Sequence, residues 1–134
     1  NEKKYNFKNL TTNILIPTSV VIVSSYYFFG KKLIEIIAGN GFVNSYTPML
    51  ILLIGYMSYY LTFWTRHFLL LNNLILKHTK GRIINLLIFL ITSPLLISNY
   101  GFNGIAIAIS LSIFIQKIYE LSVYFKNKNI ENNI

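Results

Sequence analysis

The residues able to carry acid–base or metal chemistry are few: two histidines (His67, His78) and four glutamates (Glu2, Glu35, Glu120, Glu131), with no aspartate and no cysteine. Without cysteine, disulfide frameworks, Cys-based zinc sites and thiol nucleophiles are excluded. The two histidines are well separated and have no carboxylate companion nearby in sequence, which argues against a metal site. No two carboxylates stand close together, no serine is accompanied by an acid and a histidine, and no Walker-type phosphate loop occurs. These observations argue against an enzyme, and no cofactor is implied.

The remaining polar residues are informative because they interrupt apolar runs. Intramembrane polar and ionisable groups are costly, by roughly 2.5–3.5 kcal/mol for a central Arg or Lys on insertion scales. At 100° per residue, Gly55, Ser58, Thr62, Arg66 and Asn73 fall within about an 80° sector of one helix, with Trp64 opposite. Such a stripe faces other helices or a wet cavity. Its chemistry is either a cationic lining that attracts an anion or an Arg66 that snorkels to the headgroups.

A second stripe, Gly104, Ala108, Ser112, Gln116 and Glu120, recurs every four residues. Its small members suit close helix approach. Gln116, Lys117 and Glu120 either make a local pair near the interface or line a vestibule. The candidate cavity residues are therefore Arg66, Ser58, Thr62, Asn73, Gln116 and Glu120. Tyr56, Tyr59 and Tyr60, mid-span, are expected to fill helix interfaces. Tyr26, Tyr27, Tyr46, Tyr100 and Tyr124 read as belt anchors at membrane borders.

The elements that must position these residues follow from composition. Of 134 residues, 54% are hydrophobic, 16% aromatic and only 12% charged. A soluble domain carries about 25% charged residues, so the class indicated is an all-α integral membrane protein. The net charge of +8 is not a nucleic-acid signature, because the basic residues sit at the ends of apolar runs instead of forming one stripe.

Spanning a bilayer takes about 20 apolar residues. Four segments, about 10–29, 46–71, 83–100 and 104–125, meet or approach that length without period-2 alternation, which favours helices over a barrel. Pro17 and Pro94 predict kinks, with the carbonyls of Asn13 and Leu90 needing partners from neighbouring helices. Leu33-Ile34-Glu35-Ile36-Ile37, between charges, reads as a short interfacial helix at about 31–38. Residues 126–134 read as a cytoplasmic tail.

With four spans, both ends share a side with the 72–82 loop. That side holds Lys3, Lys4, Lys8, Arg66, Lys77, Lys80, Arg82, Lys117, Lys126 and Lys128, ten of the twelve Lys and Arg residues. The positive-inside rule makes that side cytoplasmic. The run from Lys77 to Arg82 reads as a loop in contact with lipid headgroups. The opening Asn1-Glu2-Lys3-Lys4 has neither an initiator Met nor a signal-peptide pattern, so the chain reads as part of a longer one.

Two motifs carry a resemblance. Phe29-Gly30-Lys31-Lys32-Leu33-Ile34-Glu35-Ile36-Ile37-Ala38-Gly39 is similar to the outer-face segment between the ninth and tenth spans of bacterial polysaccharide flippases. Tyr100-Gly101-Phe102-Asn103-Gly104-Ile105-Ala106-Ile107-Ala108 is similar to the Tyr-Gly-x-x-Gly-Ala-Ala-x-Ala turn that opens their last span, with Ile105 where that family often has Ala. The chain thus resembles the C-terminal third of an O-antigen or lipid-linked oligosaccharide flippase of the multidrug/oligosaccharidyl-lipid/polysaccharide superfamily.

The resemblance implies the last four helices of a twelve-helix, two-lobe transporter. It also implies alternating access that carries an undecaprenyl-diphosphate-linked repeat unit across the bacterial inner membrane. The implied partners are the lipid-linked oligosaccharide, membrane lipids and the N-terminal helices of the same transporter, with no nucleic acid. Alternatives are a drug/cation antiporter of the same superfamily, which needs an acidic cavity residue that only Glu120 could supply, and a non-transporting assembly subunit. A small four-helix multidrug exporter would need a buried Glu in its first span, and 10–29 contains none.

Overall fold

Between its first residues and Gly39 the chain carries only Pro17 and Gly30 against helix formation, and in the computed structural model it is helical throughout Glu2–Ala38. The structure describes residues 2–131, with side chains from 13 to 127. Five α-helices follow one another: α1 (Glu2–Ala38), α2 (Tyr46–Leu61), α3 (Phe63–Leu71), α4 (Ile75–Tyr100) and α5 (Phe102–Glu131). A 3₁₀ segment, Asn40–Ser45, joins α1 to α2. No strand occurs among the described residues.

Four stretches, Asn13–Ala38, Asn40–Leu71, Ile75–Tyr100 and Phe102–Asn127, are long and apolar enough to cross a membrane, consistent with a multi-pass membrane protein.

The element bounds differ from the sequence expectation in three places. First, 31–38 is not a separate helix. Lys31 and Lys32 are good helix formers, so α1 continues through them. It ends only at Gly39, whose φ of +89° and ψ of 168° belong to a region essentially reserved for glycine.

Second, the span expected over 46–71 breaks at Thr62, which has φ −103° and ψ 17°. Hydroxyls around the break bond back to their own helix. Ser58 Oγ donates to Gly55 O at 2.6 Å, Thr62 Oγ1 to Ser58 O at 2.7 Å and Thr65 Oγ1 to Thr62 O at 2.7 Å. Such back-bonding competes with the amide ladder and bends helices.

Third, α4 begins at Ile75 and not at 83, so Lys77, His78, Lys80 and Arg82 stand on helix, not on a loop. The expected tail at 126–134 begins inside α5. Its last three residues, like the side chains of Lys3, Lys4, Lys8 and Lys128, lie outside the described residues.

The helix α5 is the centre of the bundle, lying against both α4 and α2, whereas α1 leans on α2 and the 3₁₀ segment. The four-residue stripe of α5 is the buried face: Gly104, Ala108, Ser112, Gln116 and Glu120 are all buried. A Cβ at Gly104 would collide with the Leu96 carbonyl, so glycine permits the tight α4–α5 hairpin around Gly101.

At Gly55 a Cβ would fall 2.8 Å from the Ser110 backbone. There the Ser110 hydroxyl donates to Ile51 O at 3.0 Å, tying α5 to α2. Close approach of this kind is how helices associate in lipid, where apolar surface alone gives no preference for helix over tail.

At the other end, Tyr26 stacks on Tyr46 with centroids 5.6 Å apart, and Tyr46 Oη donates to Tyr27 O at 3.0 Å. Pro17 and Pro94 sit inside continuous helices. Next to Pro17, Thr18 and Ser19 donate to the Ile14 and Leu15 carbonyls of their own helix.

Candidate functional site

Polar side chains from three helices converge on Glu120, which is fully buried. On α4, His78, Gly81 and Asn85 share one face through their i, i+3, i+7 spacing. On α5, Gln116, Lys117 and Glu120 fall within one turn. Gly81 lets the two helices meet here: a Cβ at that position would stand 3.3 Å from the Tyr119 ring and 3.6 Å from the Cγ atoms of Gln116 and Glu120.

Both oxygens of Glu120 are engaged. Oε1 lies 3.0 Å from His78 Nδ1 and accepts from Gln116 Nε2 at 2.8 Å. Oε2 accepts from Lys117 Nζ at 2.7 Å. An ionised carboxylate only accepts, so the proton of the first contact resides on His78 Nδ1. Thr65 Oγ1 is 3.5 Å from Oε2, but its single proton serves the Thr62 carbonyl at 2.7 Å.

Asn85 Nδ2 extends the network by donating to Gln116 Oε1 at 3.0 Å. Lys117 Nζ also stands 3.9 Å from the centroid of the Tyr59 ring on α2. That geometry gives the ammonium a cation–π partner in addition to the carboxylate.

The charges of Lys117 and Glu120 cancel, and Gln116 and His78 hydrogen-bond the other carboxylate oxygen. That is the condition under which a buried ion pair offsets its desolvation cost. The cluster therefore works as a directional joint between α4 and α5, with both carboxylate oxygens engaged. Among the described residues no group of three His, Asp or Glu side chains could hold a metal ion.

The six candidate residues separate into two sets. Gln116 and Glu120 are in the cluster, as is Lys117, so their local pairing extends to His78 on another helix. Ser58, Thr62, Arg66 and Asn73 are not. The hydroxyls of Ser58 and Thr62 are spent on their own backbone. Arg66 is half-buried on α3. Asn73, at φ 55°, is exposed in the turn before α4.

The break at Thr62 shifts the helical phase, so Thr65 and Leu69, both fully buried, become the inward residues of α3. Two aromatic assignments also change. Tyr124, expected as a border anchor, is buried edge-on between Trp64 and Phe68, each with centroids at 4.6 Å. Of the three mid-span tyrosines only Tyr59 meets a partner helix, and Tyr56 and Tyr60 face outward.

The expectation that His78 has no carboxylate companion holds along the chain but fails in space, because its companion is 42 positions away. The His78-Gly81-Asn85 spacing was the available signal. Beginning the third span at 83 cut it in two.

Compared with family models, curated proteins and solved structures, the chain gives no match.

Proposed function

We propose that the chain forms the C-terminal membrane region of a flippase that moves a diphosphate-linked oligosaccharide across the bacterial inner membrane by alternating access. The observation that carries this reading is the state of the charges. Arg66 is a half-buried cation on a membrane-spanning stretch, and neither of the two ion pairs among the described residues involves it. The buried carboxylate, Glu120, is already held by Lys117, His78 and Gln116.

An unneutralised cation lowers the barrier for an anionic passenger, whereas a drug/cation antiporter needs an open acid. The resemblance of residues 29–39 and 100–108 to the flippase motifs points the same way. In this reading Arg66 contributes to the cavity, the N-terminal helices supply the rest of its wall, and the Lys126 end of the bundle faces the cytoplasm.

The test is deletion of the gene in its native bacterium, with lipid-linked repeat units followed by leaflet. The flippase reading requires that they accumulate on the cytoplasmic leaflet and that surface polysaccharide is lost. Full-length protein carrying Arg66→Ala, at matched membrane levels, should restore less polysaccharide than wild type. Unchanged restoration would remove Arg66 from the role. Repeat units that still reach the outer leaflet in the deletion strain, with polysaccharide lost, would instead identify an assembly subunit.

A further inference from the structure

Where α4 begins and α5 ends, an open pocket of about 320 Å³ is lined by Lys77, Lys80, Tyr119, Ser122, Val123, Lys126 and Asn127. Three lysines converge there and no carboxylate lines it. Lys77 donates to Asn127 Oδ1 at 3.3 Å, which fixes one ammonium over the pocket. Lys80 and Lys126 are exposed and enter neither of the two ion pairs among the described residues. Among the residues with described side chains, the acid of α5, Glu120, is buried and turned to Lys117.

Depth adds a second, independent argument. At about 1.5 Å per residue, Lys80 stands roughly 30 Å along α4 from the Gly101 turn, and Lys126 roughly 36 Å along α5. The hydrocarbon core is about 30 Å thick. A bundle whose Gly101 turn lies at one border therefore carries this pocket at the headgroup layer of the other. Its lining includes the Tyr119 ring and Val123, and exposed apolar side chains of α5, Ile118 and Phe125, stand next to them in sequence, which suits an anion that brings an acyl or prenyl chain with it.

We propose that this pocket binds a lipid-borne phosphate, with Lys77, Lys80 and Lys126 as the charge partners and the Ser122 hydroxyl as a further donor. The site is separate from Arg66 and does not depend on the flippase reading. Two lipids present the required chemistry: an anionic phospholipid and a polyprenyl diphosphate.

Native mass spectrometry of the full-length protein in detergent discriminates between them. The probes are phosphatidylglycerol, phosphatidylcholine and undecaprenyl diphosphate, each with and without inorganic phosphate as competitor. Each surface lysine contributes about a fivefold factor to anionic-lipid binding. Lys80→Gln/Lys126→Gln should therefore lower retention of the bound anionic lipid at least tenfold. Lys31→Gln/Lys32→Gln, at the opposite end, should leave it unchanged.

Preferential retention of phosphatidylglycerol assigns the pocket to membrane phospholipid, and preferential retention of undecaprenyl diphosphate assigns it to the carrier. Equal retention by wild type and Lys80→Gln/Lys126→Gln would overturn the proposal. So would equal retention of phosphatidylcholine, or displacement of lipid by millimolar inorganic phosphate. Both lysines are exposed, so the variant retains its fold, and an unchanged melting temperature verifies this.

Discussion

Nδ1 of His78 and Oε1 of Glu120 lie 3.0 Å apart in a contact that bridges 42 positions of chain and ties the start of α4 to the second half of α5. His78 is 6% exposed and Glu120 is fully buried, so water does not screen the contact. A hydrogen bond to a buried charge contributes roughly 1.5–3 kcal/mol. His78→Ala should accordingly lower the melting temperature of the detergent-solubilised protein. His78→Asn, which keeps a donor, should recover part of the loss. Equal melting of all three proteins would mean that the histidine is a spectator.

Lys117 and Glu120 form the charged half of the cluster. Breaking a buried pair by removing one partner costs about 3–5 kcal/mol, because the remaining charge is left without compensation. Lys117→Met should therefore be severely destabilising, and Glu120→Leu, which strands Lys117, comparably so. The double variant Lys117→Met/Glu120→Leu should lose less stability than the sum of the two single losses, because the second change removes the charge that the first one strands. A thermal-unfolding double-mutant cycle reads this directly. Strict additivity would show that the pair is energetically uncoupled.

Legibility in the sequence followed a physical line. Lipid exposure imposes long apolar stretches, so the four spans could be read from composition. The packing face of α5 could be read because Gly104, Ala108, Ser112, Gln116 and Glu120 keep a strict four-residue interval along an unbroken helix. The Glu120 cluster was only half legible. Lys77, Lys80 and Arg82 look like loop residues by charge, yet all are helix formers, and treating them as loop hid the His78-Gly81-Asn85 face. Thr62 hid the remainder. A periodicity argument assumes constant phase, and a hydroxyl-induced break changes the phase, which put Thr65 where Arg66 was expected.

Glycine substitutions separate two kinds of constraint. At Gly55 the obstacle is a neighbour, since a Cβ would sit 2.8 Å from the Ser110 backbone. Gly55→Ala should cost about 1–3 kcal/mol, the usual range for overpacking, and Ser110→Gly should relieve it only in part, because the clash includes main chain as well as the Ser110 side chain. At Gly39 space is free but φ is +89°, so Gly39→Ala should cost about 1–3 kcal/mol through backbone strain alone. Gly41 has neither a close neighbour nor a positive φ, and Gly41→Ala should be close to neutral. Melting temperatures of the three variants test the ranking, and a loss at Gly41 equal to that at Gly55 would contradict it.

Sidedness can be tested by cysteine labelling because these 134 residues contain no cysteine, so an introduced thiol has no competitor among them, and the same protein without the introduced thiol serves as the control. Asn40, Asn103, Thr79 and Lys126 are all exposed at helix ends. The helix α4 has 26 residues, about 39 Å at 1.5 Å per residue, enough to carry Thr79 and Asn103 to opposite faces of a 30 Å core. Placing the lysine-rich end inside the cell follows from the bias of basic residues toward the cytoplasm. Asn40→Cys and Asn103→Cys should therefore react with a membrane-impermeant maleimide in intact cells, whereas Thr79→Cys and Lys126→Cys should react only after permeabilisation. The reverse pattern would invert the orientation while keeping the four spans. Labelling of Asn103→Cys and Thr79→Cys from the same face would show that α4 does not cross.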